Sequence, residues 1–253
     1  MIVSKSNKQL KDIKKLMDSS KARKEQKLFV VEGLRMTREV PEHLLEKIYY
    51  SESFFASSLS VATCEKKGEE GKDYEIVSDE IFKGLSDTVT PQGILGIVKQ
   101  PEYQLKDAFG GKILILDDIQ DPGNLGTMIR TSEAVGVTGV IMSTGCAVIF
   151  NPKVIRSTME SIFRVPFLKA DLRKAIDALQ KEGYTVYGAA LDGAVFYNEI
   201  TYGEKNAVVI GNEGNGISEK VLDAVDYKIK IPMAGKVESL NAAISAAVIL
   251  YQL

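Results

Sequence analysis

Apolar residues fall along this chain in two rhythms. Near the start, Leu10, Ile13, Leu16 and Met17 recur at helical spacing among lysines, which predicts an amphipathic helix. Further on, the run "ILIL" at residues 113 to 116 is continuously apolar and reads as a buried strand. Similar runs recur at "GVIM", "RVPFL", "TVYGA", "AVVIG" and "YKIKIP", separated by helix-spaced stretches such as "NPKVIRSTMESI" and "DLRKAIDALQKEG". Asn151 with Pro152 supplies a helix cap and first turn, and Gly183 a helix stop. This alternation predicts an α/β fold with a mainly parallel sheet. The stretch from "KLFVVEGLRMTREV" to "GILGIVKQ" also alternates strand-like and helical runs, and "PEYQLKDAFGGK", residues 101–112, interrupts the rhythm with Pro and paired Gly. The predicted organisation is therefore a first domain over 1–100, a linker over 101–112 and a second domain over 113–253.

Composition narrows the class. The 253 residues are 45% hydrophobic and 26% charged, as in a folded globular protein. There is no apolar run of membrane-spanning length, and "MIVSKSNKQLKDIKK" has no apolar core that would serve as a signal peptide, so a cytoplasmic location is expected. Cys64 and Cys146 lie far apart without His or Cys neighbours at zinc spacing, which predicts reduced thiols, no disulfide and no metal site. His43, the one histidine, sits in the acidic segment "PEHLLEK" and reads as surface, which disfavours Ser-His-Asp or Cys-His chemistry. The net charge of −2 hides an asymmetry: residues 1 to 27 hold nine Lys or Arg against three Asp or Glu, an excess of +6, leaving −8 for the remainder. A basic arm on an acidic body suits a polyanion partner, while the alternative is an ordinary solvated helix face.

Three strand-to-helix loops attract attention as sites, because ligands in open α/β sheets bind beyond the carboxyl ends of strands. The first is "LDDIQDPGNLGTMIRTSEAVG", residues 116 to 136, a turn rich in Asp, Pro, Gly and Asn with Arg130 on the helix behind it. The second is "VVIGNEGNGIS", residues 208 to 218, where Gly211, Gly214 and Gly216 allow close backbone approach and Asn212 and Glu213 offer hydrogen bonds. Its glycine order is G-x-x-G-x-G, not the dinucleotide G-x-G-x-x-G, and the Gly-Lys-Ser/Thr of a Walker loop is missing. The third is "IKIPMAGKVESLNAAISAAVIL", residues 229 to 250, where Ser239 taken singly reads as a cap of the final apolar helix and Asn241 is less well explained that way. For Arg130 the bland alternative is a surface salt bridge to Glu133.

In order and spacing, "DDIQDPGNLGTMIRTSEAVG", "IGNEGNGIS" and "IPMAGKVESLNAAISAAV" resemble the three motifs of the SPOUT-class RNA ribose 2′-O-methyltransferases, specifically the SpoU family. The amino-terminal stretches "FVVEGLRMTREV" and "LSDTVTPQGILGIV" are similar to the small RNA-binding domain, related to certain ribosomal proteins, that precedes the catalytic domain in many members. The resemblance implies a small α/β RNA-binding domain followed by a SPOUT-type α/β domain with a deep carboxyl-terminal trefoil knot. It also implies a homodimer and S-adenosyl-L-methionine as cofactor, placed against Gly211, Ile231 and Leu240 with Met233 and Ala189 of "GAALDG" nearby. Knots are essentially absent from proteins, and without the resemblance an ordinary doubly wound sheet is expected. For the dimer, the alanine face Ala242, Ala243, Ala246 and Ala247 is expected to pack against a twin or beside the knot.

The resemblance assigns Arg130 to the ribose 2′-hydroxyl. A guanidinium with a pKa above about 12 is a poor general base, which favours a charge role, clamping phosphate and stabilising the developing alkoxide. An Arg-base mechanism stays open. Asn124 is expected to orient Arg130 or the ribose, with Glu213, Ser239 and Asn241 supporting substrate and cofactor loop. The implied partner is structured RNA, ribosomal RNA in preference to transfer RNA, with no membrane and no metal. Two other readings remain: an RNA-binding protein that has lost catalysis, and a nicotinamide-dependent α/β enzyme.

Overall fold

The computed structural model describes residues 1–57 and 74–253, so Cys64 lies outside the described residues. By its internal contacts the chain forms two compact units, Met1–Pro101 with Phe150–Arg156, and Glu102–Ile149 with Ser157–Leu253.

In the first unit, helix α1 (Lys8–Asp18) starts where Asn7 accepts the Gln9 amide at 2.8 Å. Its stripe Leu10, Ile13, Leu16 and Met17 is buried, as the spacing predicts, and it packs with Val77, Phe82 and Leu95 in one apolar cluster. Helix α2 (Ser20–Gln26) carries Arg23, only 4% exposed, whose guanidinium donates to the Leu16 and Met17 carbonyls at 2.7 and 2.8 Å. One of the nine amino-terminal cations is thus spent on closing the end of α1, and burial lowers its pKa. Lys5 pairs with Glu80, Lys14 with Asp18 and Lys21 with Glu25. Lys8, Lys11 and Lys15 stay exposed on α1. Strands β1 (Leu28–Glu32), β2 (Leu45–Ser51), β3 (Tyr74–Val77) and β4 (Ile94–Lys99) form a sheet in the order β1-β4-β2-β3. Helices α3 (Leu34–Glu39), α4 (Glu52–Ala56) and α5 (Asp79–Leu85) connect them.

The second unit is built on β5 (Lys112–Leu116), β6 (Val137–Met142), β7 (Phe167–Lys169), β8 (Thr185–Ala189), β9 (Val195–Phe196), β10 (Asn206–Ile210) and β11 (Tyr227–Lys230). Their order is β7-β6-β5-β10-β8-β11-β9, and every pairing is parallel. The six strands read from the sequence are all present. The two-residue edge strand β9 is not legible there, because Val195 and Phe196 are too short and too exposed to make an apolar run. Ile113 to Leu116 are fully buried, as a central strand covered on both faces requires. Helix α6 (Pro122–Ala134) follows β5. Helix α7 (Pro152–Thr158), most of which belongs to the first unit, begins after Asn151 accepts the Lys153 amide. Helix α8 (Leu172–Lys181) is capped by Asp171, and the chain leaves it through Gly183, whose φ of 85° suits glycine.

Much of the stretch read as a linker packs onto this unit. Ala108 is fully buried, Tyr103 lies edge-on to Phe167, and the Tyr184 hydroxyl meets both the amide and the carbonyl of Gly110. The last helix, α10 (Ala242–Gln252), lies against α6 and β10 with Ala243 and Ala246 buried inside the same chain. Those two alanines are therefore covered within the chain. The side left outside carries Ile244 and Tyr251, 51% and 72% exposed. No helix among the described residues is long and apolar enough to cross a membrane.

Candidate active site

Because the sheet is parallel, β5, β10, β8 and β11 all deliver their carboxyl ends to one edge. β5 and β10 are neighbours, yet the strand after β5 lies on one side and the strand after β10 on the other. This is the switch point at which open α/β sheets form crevices.

The loops beyond it are tied together by side-chain amides. Asp121 caps α6 by accepting the Asn124 amide at 2.7 Å, which fixes Asn124 in the first helical turn. The Asn124 side-chain nitrogen donates to Glu213 Oε1 at 2.9 Å, and its oxygen accepts from Asn241 Nδ2 at 3.1 Å. Asn241 in turn caps α10, its oxygen accepting the Ala243 and Ile244 amides at 2.9 and 3.3 Å. One chain of hydrogen bonds, Glu213 to Asn124 to Asn241, therefore joins all three loops. Burial pushes the Glu213 carboxyl up, but hydrogen bonds from the Asn124 side chain and from the amides of Glu213, Gln120 and Asp121 outweigh it and hold it below the usual range. Glu213 is an anion at neutral pH.

Beside this chain lies a cleft of about 440 Å³, within the size range of small-molecule sites. Its walls are Ala189, Gly211, Glu213, Ile231, Met233 and Leu240 together with Ser239 and neighbouring backbone. Gly211 has no room for a side chain: a Cβ there would sit 2.1 Å from the Gly216 carbonyl carbon and 2.2 Å from the Ile217 nitrogen. The close approach goes with a tight turn in which Asn212 and Gly216 exchange backbone hydrogen bonds, each 2.9 Å.

Residues 111–251, which contain all three loops, match the SpoU rRNA Methylase family, and residues 7–96 match the MRM3-like substrate binding domain. The chain belongs to the SpoU rRNA methylase family. It is 36% identical over 255 residues to the 23S rRNA (guanosine(2553)-2′-O)-methyltransferase RlmP of Bacillus subtilis, covering 100% of this chain and 98% of that one. The structure is similar to an AdoMet-bound rRNA methyltransferase from Sinorhizobium meliloti, with a TM-score of 0.89, 28% identity and 99% and 95% of the two chains covered. An RNA 2′-O ribose methyltransferase superposes with a TM-score of 0.80 at 26% identity, over 99% and 96% of the chains.

In this SpoU chain the five residues expected around a cofactor, Ala189, Gly211, Ile231, Met233 and Leu240, line one cleft. Of the five expected catalytic residues, Asn124, Glu213 and Asn241 are joined by hydrogen bonds, and Glu213 and Ser239 reach the cleft wall. Ser239 is not the helix cap: Asn241 holds that place, because its oxygen meets two free amides of the first turn while Ser239 lies two residues earlier, exposed. Arg130 is exposed on α6, outside the cleft wall. The salt bridge to Glu133 is not formed, since Glu133 instead accepts from Arg164 at 2.8 Å and from the Ser161 hydroxyl at 2.5 Å. Arg130 has no hydrogen-bond or ion-pair partner among the described residues. Cys146 is a free, buried thiol whose pKa burial raises, which marks it as an inert packing group. Among the described residues no group of His, Cys, Asp and Glu is arranged to hold a metal.

Proposed function

We propose that this SpoU methylase transfers a methyl group to a ribose 2′-hydroxyl of structured RNA, ribosomal RNA in preference to transfer RNA, using S-adenosylmethionine. The observation that carries it is the cleft beside the Glu213–Asn124–Asn241 chain, together with full-length similarity to a protein named as a 23S rRNA 2′-O-methyltransferase. The cleft suits the cofactor: its volume is ample, Ile231, Met233 and Leu240 offer apolar surface to an adenosine, and loop backbone supplies polar groups. When bound, the cofactor supplies a methyl group on a sulfonium. The chain's own residues then hold the two reacting partners in line, which is the main source of rate for such a displacement. As the 2′-oxygen gains the methyl carbon it loses a proton, and negative charge develops on it during the transfer. Arg130, a guanidinium with no hydrogen-bond or ion-pair partner among the described residues, meets RNA phosphate and that charge; solvent or phosphate takes the proton. Asn124 and Asn241 relay the fixed position of the Glu213 anion to both helices.

The first unit serves as the RNA-binding domain and the rest of the chain as the catalytic domain. The exposed Lys8, Lys11 and Lys15 lie on one side of α1, at spacings of three and four residues, and meet the phosphates in this reading. Changing all three to Gln should weaken binding of folded ribosomal RNA and flatten log affinity against log salt by roughly 0.7 to 0.9 for each phosphate no longer neutralised. An unchanged slope in a filter-binding titration would show that the lysines are only a solvated face.

The protein acts as a cytoplasmic homodimer with a carboxyl-terminal knot. Supporting the knot, the chain after the β8–β11 side of the sheet returns to lay α10 against α6, β10 and the turn Tyr197–Glu199. Pulled from its two ends in an optical trap, the chain should stop short of its full contour length; full extension counts against a knot. The dimer face is centred on Ile244 and Tyr251, not on the covered alanines. Tyr251→Glu should give a monomer by light scattering, and a wild-type monomer at micromolar concentration rules the dimer out.

A further inference from the structure

Asp117 is a carboxylate that follows the buried apolar run Ile113–Leu116, is only 4% exposed, and is not used by the site described above. Its Oδ2 accepts two hydrogen bonds from one residue, the Ser218 amide at 2.8 Å and the Ser218 hydroxyl at 2.7 Å. Ser218 closes the loop that begins at Gly211 and stands just before the short helix α9 (Glu219–Leu222). The next residue along the chain, Asp118, holds the loop's other end: its carbonyl accepts from Asn212 Nδ2 at 2.8 Å. Asp118 has a φ of 57°, a left-handed conformation that is strained for a non-glycine residue. It is kept there by Ser143, whose hydroxyl accepts the Asp118 amide at 2.9 Å and donates to the Asp118 carboxylate. A Cβ on Gly145 would fall 2.2 Å from that same carboxylate, so the surroundings leave Asp118 little freedom.

Two consecutive aspartates thus grip both ends of the loop 212–218, which supplies one wall of the cleft through Asn212 to Ile217, with Leu222 behind it. Between the grips Glu213, Gly214 and Asn215 carry little packing, with Gly214 and Asn215 exposed. A loop of this kind left free at one end samples many shapes, and a ligand must then supply the ordering free energy. A buried carboxylate is costly unless its charge is met by donors, so its presence here calls for an account beyond filling space.

We infer that Asp117, with Asp118, is a positioning residue that holds the 212–218 loop in its ligand-ready shape before S-adenosylmethionine enters. This rests on the reading of the cleft as the cofactor site. Glu213 is fastened separately, by Asn124 and by the Gln120 and Asp121 amides, so the grip on Ser218 governs cofactor affinity more than turnover.

The test is calorimetric titration of S-adenosylmethionine into the full chain and three variants, with amide hydrogen exchange at Gly216 to Ser218 of each protein in the absence of cofactor. Ser218→Ala, which removes one donor and leaves the amide, should weaken binding about threefold, and Asp117→Ala about tenfold. Asp117→Asn keeps an acceptor of the same shape and should restore most of the affinity. Exchange at residues 216 to 218 should accelerate in the same order before any cofactor is added, and kcat at saturating cofactor should stay within about twofold of wild type. If Asp117→Ala does not fold, the Ser218→Ala result stands by itself. Wild-type affinity and exchange in Ser218→Ala, with only its melting temperature lowered, would mean the grip is purely structural and overturn the inference. No binding by the wild-type chain would overturn the reading of the cleft, and this inference with it.

Discussion

Arg130→Ala should abolish methyl transfer, lowering single-turnover rate by about a thousandfold, while the affinity for S-adenosylmethionine stays within about twofold of wild type. The separation follows from placement. Arg130 lies on α6, exposed and without a partner among the described residues, whereas the cleft wall is drawn from α10 and the loops after β8, β10 and β11. Removing an exposed side chain that has no partner among the described residues should leave the fold and the cleft unaltered, so the loss reads out its work on RNA. Arg130→Lys should also be slow, by about a hundredfold, because an ammonium keeps the charge but lacks the planar fork that meets phosphate and ribose oxygen together. Rapid-quench measurement of the methylation step decides this. A near wild-type rate in either variant would show that another group meets the developing charge.

Gly211→Ala should act by the opposite route, weakening cofactor binding and leaving the RNA-binding unit untouched. The new methyl would lie 2.1 Å from backbone carbon of Gly216, and backbone cannot swing aside as a flexible side chain does. The loop 212–218 must open, at a cost of roughly 2 to 3 kcal/mol, which corresponds to about a hundredfold weaker binding if the cleft alone absorbs it. Calorimetry with S-adenosylmethionine measures the loss directly, and wild-type affinity would show that the loop has a slack the close approach does not suggest. Gly214→Ala is the control, since the atom nearest a Cβ there is the Asn212 side-chain oxygen at 3.6 Å.

How far the sequence alone reaches is clear from particular residues. The runs that form β5, β6 and β10 are legible because a strand covered on both faces must be apolar along its length, whereas β11 shows instead as an alternation of apolar residues with lysine. The stripe on α1 is equally plain, as Leu10, Ile13, Leu16 and Met17 are all buried. The order of strands is not legible, since adjacency depends on which loops cross over, and nothing in a strand's own residues records its neighbour. The three loops stand out by Gly, Asn and Pro content, yet only the structure shows that Asn124 is the middle of a hydrogen-bonded chain or that Asn241, not Ser239, caps α10. Asp117 gives no signal in the sequence because a carboxylate at a strand end ordinarily faces water; its burial depends on Ser218, 101 residues away. Arg23 counts by composition among the basic residues that suit RNA, although its charge is turned inward on two carbonyls. Its Nε finds no partner there.

One chemical event underlies the proposed function, the movement of a methyl group from S-adenosylmethionine to a ribose oxygen. The most direct measurement incubates the full chain with methyl-labelled S-adenosylmethionine and ribosomal RNA from cells lacking the gene, digests the RNA to nucleosides and identifies the labelled product by mass spectrometry. The predicted result is one 2′-O-methylnucleoside, at one position, formed by wild type and not by Arg130→Ala. Label on a nucleobase, or no transfer to RNA by a chain that binds the cofactor, would contradict it.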